Sequence, residues 1–204
     1  MIGIFGGTFN PIHQGHIQLA RQVLEKLALD KVHFLPCANP VHRGAPNVSG
    51  RDRLNMIRLA IAAEDRFVAN TLELDRGGAS FMIDTLRQLL DQTQNEPICL
   101  MLGSDAFNGI QSWKQANKIL DLAHLVVCQR PDVAINRTVY SDHWVQSINC
   151  LNQKKHGYIL PLTIHQSDCS STKTRAQLLA KEPTIQCLSP LVREYIANNH
   201  LYEN

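Results

Sequence analysis

The residues best suited to chemistry stand close to the start of the chain. Gly6 and Gly7 follow a short apolar run, and two histidines, His13 and His16, come soon after them. Glycine has no Cβ, so peptide N–H groups at such a turn can come close to a phosphate oxygen. Imidazole N–H groups can donate hydrogen bonds to the same oxygens. The stretch therefore predicts a phosphate-binding turn; the alternative is a plain turn followed by two ordinary surface histidines.

The elements around this turn are typical of a parallel α/β sheet. Residues 1–5 predict a buried strand, and apolar residues spaced three and four apart after His16 predict a helix. A second apolar run, 31–36, predicts a strand parallel to the first, because a helix fills most of the chain between them. The turn would then lie at the carboxyl end of the first strand, where such sheets bind ligands. The N-terminus of the helix adds partial positive charge there.

A second group of polar residues lies near the C-terminal end of the chain. Ser170, Ser171 and Thr172 precede Arg175, and a helix is predicted over 176–180. Hydroxyl groups at a helix start supply an N-cap and donors, and a guanidinium one turn in can bind an anion. We expect a second anion-binding end here. The alternative is an ordinary capped helix with a surface arginine.

The long connection over 37–50 carries two basic residues, His42 and Arg43, at its centre. Connections of this length are uncommon unless they have a function. We expect a mobile arm that brings both side chains over bound phosphates. The alternative is a solvated basic loop tip.

The middle of the chain predicts two further buried strands, 98–103 and 123–128. Asp105 follows the first of these strands, after Gly103. The sequence alone favours the interpretation that Asp105 caps a short helix. Helices are predicted over 51–63, 81–90 and 190–198, and a variable surface insertion over 132–155.

The fold class expected is α/β, a Rossmann-like doubly wound and mainly parallel sheet with helices on both faces. One domain would span 1–204, with the helical part from about 170 to 204 packed on the same core.

Composition excludes several classes of protein. The chain has 204 residues, 44% of them apolar, and a net charge of +2, which is too small to predict DNA or RNA binding. No apolar stretch reaches the length of a membrane span, and the chain begins directly with the first strand, so no signal peptide is expected. The six cysteines show neither paired nor zinc-like spacing. A reduced, cytoplasmic setting is the simplest inference.

Two motifs together resemble a known family. Gly6-Gly7-Thr8-Phe9-Asn10-Pro11 with His13-Gln14-Gly15-His16 resembles the nucleotidyltransferase signature G-G-T-F-D-P-x-H-x-G-H, with Asn10 in place of Asp. Ser170-Ser171-Thr172 with Arg175 resembles I-S-S-T-x-I-R. Over nearly its whole length the chain resembles bacterial nicotinate-nucleotide adenylyltransferases of the HxGH superfamily. Further segments that carry the resemblance are 39–43, 80–86, 102–105 with Trp113, and 128–131.

The resemblance implies that ATP and nicotinate mononucleotide, with Mg²⁺, give deamido-NAD and pyrophosphate. It implies catalytic roles for His16, His13, His42 and Arg175, with His16 on the α-phosphate, and no protein ligands for a metal ion. ATP contacts are expected from Gly6, Gly7, Thr8, Phe9, His13, His16, Gly103, Asp105, Ser170, Ser171, Thr172 and Arg175. Contacts with the nicotinate nucleotide are expected from Thr8, His42, Thr85, Trp113 and Arg130, with Trp113 stacked on the pyridine.

Alternative functions stay open at this point. Met82 replaces a Thr that the family places near the pyridine carboxylate, so nicotinamide mononucleotide is an alternative acceptor. Phosphopantetheine is another, although enzymes acting on it lack the Trp113 and Arg130 segments. A ligase-type aminoacylation domain would need a tRNA-binding extension and a K-M-S-K-S-like loop, which are absent from the sequence. A non-catalytic nucleotide sensor is weakly disfavoured, and a homo-oligomer is left open.

Overall fold

The computed structural model describes residues 1–40, 46–130, 133–165 and 167–203. The strands are β1 (Ile2–Gly7), β2 (Lys31–Pro36), β3 (Asn39–Pro40), β4 (Phe67–Ala69), β5 (Ala79–Ser80), β6 (Ile98–Gly103), β7 (His124–Cys128) and β8 (Ile159–Leu162). The helices are α1 (Gln14–Lys26), α2 (Gly50–Ile61), α3 (Leu72–Arg76), α4 (Met82–Gln92), α5 (Ser104–Asn108), α6 (Ser171–Leu179) and α7 (Pro190–Asn198). Short 3-10 turns lie at Ile110–Ser112, Ala116–Lys118, Ser141–His143 and Ile148–Gln153.

The main sheet is parallel throughout, with six strands in the order β4-β2-β1-β6-β7-β8. From β1 the chain moves outward through β2 to β4, and from β6 it moves outward the other way through β7 to β8. The order therefore reverses between β1 and β6. In doubly wound sheets the carboxyl ends of the two strands at this point open a crevice for ligands.

Each face of the sheet is covered by its own buried apolar cluster. Side chains alternate along the strands: Ile98, Leu100 and Leu102 of β6 join one cluster, whereas Cys99 and Met101 join the other. Helices α1, α2 and α7 pack on one face, and α4 and α5 pack on the opposite face. This arrangement confirms the predicted doubly wound α/β fold with helices on both faces. Helix α7, near the end of the chain, shares the cluster that α1 joins.

Serine side chains cap the starts of α2 and α6. Ser49 Oγ accepts from the Asp52 N–H at 3.1 Å, and α2 begins at Gly50, one residue before the predicted start. Ser170 Oγ accepts from the Lys173 N–H at 3.2 Å. Helix α6 therefore begins at Ser171, and the predicted helix over 176–180 starts too late. The polar motif is the first turn of the helix, not a segment before it.

The segment predicted as a surface insertion is partly a core element. Among its described residues, Val139 and Leu151 are 4% and 1% exposed. Trp144 packs edge to face on Phe107 of α5, with ring centroids 5.3 Å apart. The prediction that this segment lies at the surface is therefore wrong for these side chains. The segment is mostly polar, and its few apolar core residues lie in turns, where no helical or strand periodicity in the sequence marks them.

Two of the six cysteines are joined. Cys169 and Cys187, 18 residues apart, form a disulfide with Cα atoms 5.5 Å apart. This pairing departs from the reduced setting inferred from the absence of paired spacings. Cys37, Cys99, Cys128 and Cys150 are free thiols. Among the described residues, no helix combines the length and the hydropathy that a bilayer crossing requires.

Candidate functional site

The turn after β1 lies at the point where the strand order reverses. A Cβ built on Gly6 would lie 2.9 Å from Cε of Met82, so a larger residue would displace that side chain. Phe9 has φ of 47°, a left-handed conformation that non-glycine residues rarely adopt. The residue is 2% exposed, and its ring meets Phe5 edge to face. The Phe9 ring is therefore part of the core, whereas Thr8 before it is partly exposed.

His13 and His16 stack on each other at the start of α1, with ring centroids 3.7 Å apart. The His13 backbone N–H donates to Nδ1 of His16 at 3.2 Å. An accepting Nδ1 carries no proton, so the neutral ring holds its proton on Nε2. Rings of Phe5 and Phe9 flank His16 at 5.9 and 5.1 Å. His16 is thus fixed in orientation, and no described residue accepts from its Nε2.

The histidine pair is electrically neutral at pH 7. Burial, together with a smaller effect of the charge of Arg130, lowers the pKa of His13 from its usual 6.5 to about 4. The pKa of His16 falls well below 6.5, first through burial and then through His13 and Arg130. Both histidines therefore act as neutral donors before an anion binds.

The first turn of α6 packs directly on the turn after β1. Ser171 Oγ donates to the Pro11 carbonyl at 3.1 Å, and Arg175 Nη1 donates to the Asn10 carbonyl at 2.8 Å. The other guanidinium nitrogen, Nη2, lies 3.5 Å from Thr172 Oγ1. The structure thus brings the two predicted anion-binding ends together. Residues from opposite ends of the chain share one site.

Asn10, which departs from the signature, has a defined partner. The Tyr202 hydroxyl donates to Asn10 Oδ1 at 2.6 Å. Burial raises the pKa of Tyr202, so the phenol stays protonated and keeps donating. The amide oxygen of asparagine accepts this bond without adding a charge. The side chain of Asn10 therefore has a hydrogen-bond donor in the structure.

Gly103, Asp105 and Arg130 meet at the carboxyl ends of β6 and β7. Arg130 Nε lies 3.4 Å from Asp105 Oδ1. A Cβ built on Gly103 would lie 2.7 Å from the same oxygen, so a larger residue there would displace the Asp105 carboxylate. The residue before α5 is Gly103, and no side chain caps that helix. The prediction that Asp105 is a helix cap is therefore wrong, because its carboxylate faces Arg130.

Thr85 and Trp113 lie on the face of the sheet that α4 covers. Thr85 is fully buried; its hydroxyl donates to Glu73 Oε1 at 2.7 Å and accepts from Arg76 Nη2 at 2.9 Å. Its polar group is therefore engaged inside the protein. Trp113 is half-buried and packs against the apolar cluster on this face.

The predicted arm with His42 and Arg43 lies outside the described residues, which resume at 46. The chain before it is anchored, because β3 pairs in parallel with β5. The Ala38 N–H also donates to Ser80 Oγ at 2.8 Å.

Sequence reasoning missed one buried charge next to the turn. Arg53 in α2 is 1% exposed and donates to the Thr8 carbonyl at 2.8 Å. A signal was available, because Arg53 lies on the same helical stripe as the buried Met56 and Ile57. The disulfide partner Cys187 was also missed; its carbonyl accepts from the Gln14 N–H at 2.8 Å, beside the histidine pair.

The site as a whole suits an anionic ligand. Its donors are neutral imidazoles, guanidinium groups, hydroxyls and peptide N–H groups, which bind phosphate oxygens well. Within the described ranges, no group of three or more His, Cys, Asp or Glu residues could hold a metal ion. The donors found therefore match phosphates.

Comparisons with known proteins agree with this geometry. A family model described as cytidylyltransferase-like matches residues 4–177. A protein of Methylococcus capsulatus named probable nicotinate-nucleotide adenylyltransferase is 39% identical over 208 residues, covering 99% of both chains. One of the same name from Hydrogenovibrio crunogenus is 36% identical and covers 100% of this chain and 98% of its own.

Solved structures show the same fold. The nicotinic acid mononucleotide adenylyltransferase of Plasmodium falciparum, solved with NaAD, is similar with a TM-score of 0.76 and 20% identity, over 99% of this chain and 97% of that one. The same protein complexed with APC is similar with a TM-score of 0.74, over 99% and 96% of the two chains. Sequence, fold and site geometry thus agree, and the chain belongs to the cytidylyltransferase-like family and, within it, to the nicotinate-nucleotide adenylyltransferases.

Proposed function

We propose that the protein transfers the adenylyl group of ATP to nicotinate mononucleotide, releasing nicotinate adenine dinucleotide and pyrophosphate in NAD biosynthesis. The observation that carries this proposal is the meeting of the α6 N-terminus with the turn after β1, beside the His13–His16 pair. Relatives that match the chain from end to end bear the name of this activity.

The reaction needs no general base. The attacking group is a phosphate monoester, which is largely dianionic at neutral pH because its second pKa is about 6. The task of the protein is to hold two mutually repelling anions in line and to neutralise the charge that builds on the α-phosphate and pyrophosphate. Neutral imidazoles suit this task, because they donate without first binding a proton. Direct in-line attack requires no covalent intermediate.

The roles on the ATP side are proposed from the sequence motifs, and the geometry of their donors supports them. Nε2–H of His16 is proposed to contact the α-phosphate, and His13 with His42 the other triphosphate oxygens. Peptide N–H groups at Gly6 and Gly7 approach the same chain of phosphates. Ser171 and Arg175 close the site from α6. Gly103 and Asp105 are proposed to hold the adenosine, with the Asp105 carboxylate on the ribose.

The acceptor side is proposed to form around Arg130 and Trp113. Arg130 follows β7 at the carboxyl edge of the sheet, and we propose that its charge attracts the phosphate of the acceptor nucleotide toward the α-phosphate. Trp113 would stack on the pyridine ring. Since the hydroxyl of Thr85 is bonded to Glu73 and Arg76, we propose that Thr85 supports this side from within.

Mg²⁺ is proposed to arrive with ATP as part of the substrate, where it supplies charge neutralisation on the phosphates. The described side chains hold the nucleotide around it and keep the phosphates in line. Removal of Mg²⁺ with a chelator is expected to abolish turnover. A cytoplasmic location stays a prediction, and the oligomeric state is left open.

The decisive experiment measures pyrophosphate release from ATP with three acceptors in parallel: nicotinate mononucleotide, nicotinamide mononucleotide and phosphopantetheine. We expect the highest kcat/KM with nicotinate mononucleotide. Faster turnover with either of the other two would replace the proposed acceptor. Binding of ATP without pyrophosphate release from any mixture would favour a nucleotide sensor.

A further inference from the structure

A buried arginine, Arg53, stands behind the turn after β1. It is the largest of the fully buried side chains, with 1% of its surface exposed. None of the carboxylates in the described part of the chain forms an ion pair with it. A charge removed from water without a counter-charge is costly, so a protein keeps one only where something compensates it.

The guanidinium of Arg53 connects the carboxyl ends of two neighbouring strands. Nη1 donates to the Thr8 carbonyl at 2.8 Å, and Nη2 donates to the Cys37 carbonyl at 2.7 Å. A longer contact, 3.5 Å, joins Nη2 to the Ala38 carbonyl. Thr8 follows β1 and Cys37 follows β2. The planar fork of arginine suits this bridge, because its nitrogens donate in fixed and different directions.

The bond to Thr8 also fixes the next peptide N–H. In a trans peptide the C=O and N–H groups point in opposite directions, so the Phe9 N–H points away from Arg53. No described residue accepts a hydrogen bond from this N–H. Phe9 is the residue with φ of 47°, a conformation that persists only where its surroundings enforce it. Arg53 on one side and the buried Phe9 ring on the other supply that enforcement.

We infer that Arg53 is a positioning residue for the phosphate site. It holds the Thr8–Phe9 peptide so that the free N–H meets a phosphate oxygen, and its uncompensated charge finds its counter-charge in the bound phosphates. This inference rests on the proposed function for its kinetic part. Its binding part concerns polyphosphate alone and stands whichever acceptor the enzyme uses.

The test compares Arg53→Gln, which removes the charge, with Arg53→Lys, which keeps the charge but loses the fork. Arg58→Gln is the matched control, because Arg58 is an exposed arginine of the same helix. Calorimetric titration with inorganic pyrophosphate gives the dissociation constant, and steady-state assays give kcat and KM for ATP. Circular dichroism and thermal unfolding report on the fold.

We expect Arg53→Gln to weaken pyrophosphate binding by about tenfold or more and to raise KM for ATP. Arg53→Lys should restore most of the pyrophosphate affinity while kcat stays at least about tenfold below the wild-type value, since the Thr8 peptide is no longer held. Arg58→Gln should match the wild type in each measurement.

A folded Arg53→Gln variant with wild-type pyrophosphate affinity and kcat would overturn the inference. The inference would also be overturned if both Arg53 variants lost only thermal stability, with kcat and pyrophosphate affinity per folded molecule unchanged. If Arg53→Gln does not fold, Arg53→Lys decides, and a wild-type kcat overturns the inference. Failure of the proposed function would look different: the wild type would bind pyrophosphate but not release it from ATP with nicotinate mononucleotide.

Discussion

His13 and His16 share a stack but have different surroundings. His16 lies between two phenylalanine rings and receives a backbone N–H on Nδ1, so its orientation and tautomer are fixed. His13 is 8% exposed, and its Nδ1 has no hydrogen-bond partner among the described residues. A buried nitrogen without a partner is costly and indicates a group that a ligand completes. Each ring therefore leads to its own prediction.

Replacement of His16 by alanine is expected to lower kcat at least about a hundredfold, the loss typical of one transition-state donor. The fold should persist, because the apolar core around the site is otherwise intact. Steady-state pyrophosphate release measures the effect, with circular dichroism as the check on folding. His165→Ala, at an exposed histidine, is the control and should behave as the wild type. A near-normal kcat would remove His16 from the reaction.

His13 also predicts how stability depends on pH. Its pKa is about 4 in the folded protein and 6.5 when exposed, so below pH 6.5 the unfolded chain binds a proton that the folded chain refuses. The free energy of unfolding is therefore unaffected by His13 above pH 6.5 and falls as the pH drops from 6.5 toward 4. At pH 5 the loss from His13 is about 2 kcal/mol.

Urea unfolding of the wild type and His13→Gln at pH 7 and pH 5 tests this expectation. The variant should lose less stability between the two pH values than the wild type. Equal losses would show that His13 titrates normally in the folded protein.

At the scale of elements, a disulfide and hydrogen bonds hold the segment before α6 and the segment before α7 against the start of α1. Cys169 adjoins the cap of α6, its disulfide partner Cys187 accepts from the Gln14 N–H, and Ser171 bonds to Pro11. A Cβ built on Gly15 would lie 2.8 Å from Ser167 Oγ, so the contact there is close. The position of the first turn of α6 thus depends on these contacts.

Loss of the disulfide is expected to lower the free energy of unfolding by about 3 kcal/mol, the entropy effect of opening a loop of this length. Cys187→Ser should show this loss without reductant, measured by urea unfolding. Treatment of the wild type with a dithiol reductant should lower its free energy of unfolding to that of Cys187→Ser. The matched control is Cys150→Ser, at a free half-exposed thiol, which should leave stability almost unchanged. Equal stability of all three proteins would contradict the expectation.

At the scale of the whole molecule, residues near the end of the chain form hydrogen bonds with residues near its start. Tyr202 and Asn10 are 192 positions apart and share a hydrogen bond of 2.6 Å. Tyr195 in α7 donates to Asp52 of α2 at 2.8 Å, which holds the last helix on the same face of the sheet. The C-terminal residues are therefore a wall of the site, and not an appendage to it.

Removing one hydroxyl tests this long-range link. Tyr202→Phe leaves Asn10 Oδ1 without its donor, and we expect stability to fall by about 1–2 kcal/mol. Tyr140→Phe is the control: its buried hydroxyl has no partner within the described residues, so its removal should be neutral or stabilising. Thermal and urea unfolding of both variants give the comparison. A loss for Tyr140→Phe equal to that for Tyr202→Phe would show that the Asn10 bond adds nothing.

Local patterns in the sequence determined the four central strands of the main sheet and most of the main helices. The predicted bounds of β2, β6 and α7 agree with the structure, because unbroken apolar runs and capped helical periods are properties of neighbouring residues. The motif at 6–16 predicted a phosphate site for the same reason. Its chemistry depends on residue types held close together in the chain.

Only the tertiary structure decided what each polar group faces. The sequence could not show that Arg53 lies behind the turn, that Thr85 is engaged inside the protein, or that Asp105 faces Arg130 instead of capping a helix. Nor could it pair Cys169 with Cys187 or join Tyr202 to Asn10. A buried donor or charge must find its partner wherever packing places one, and that partner comes from distant segments that no local pattern contains.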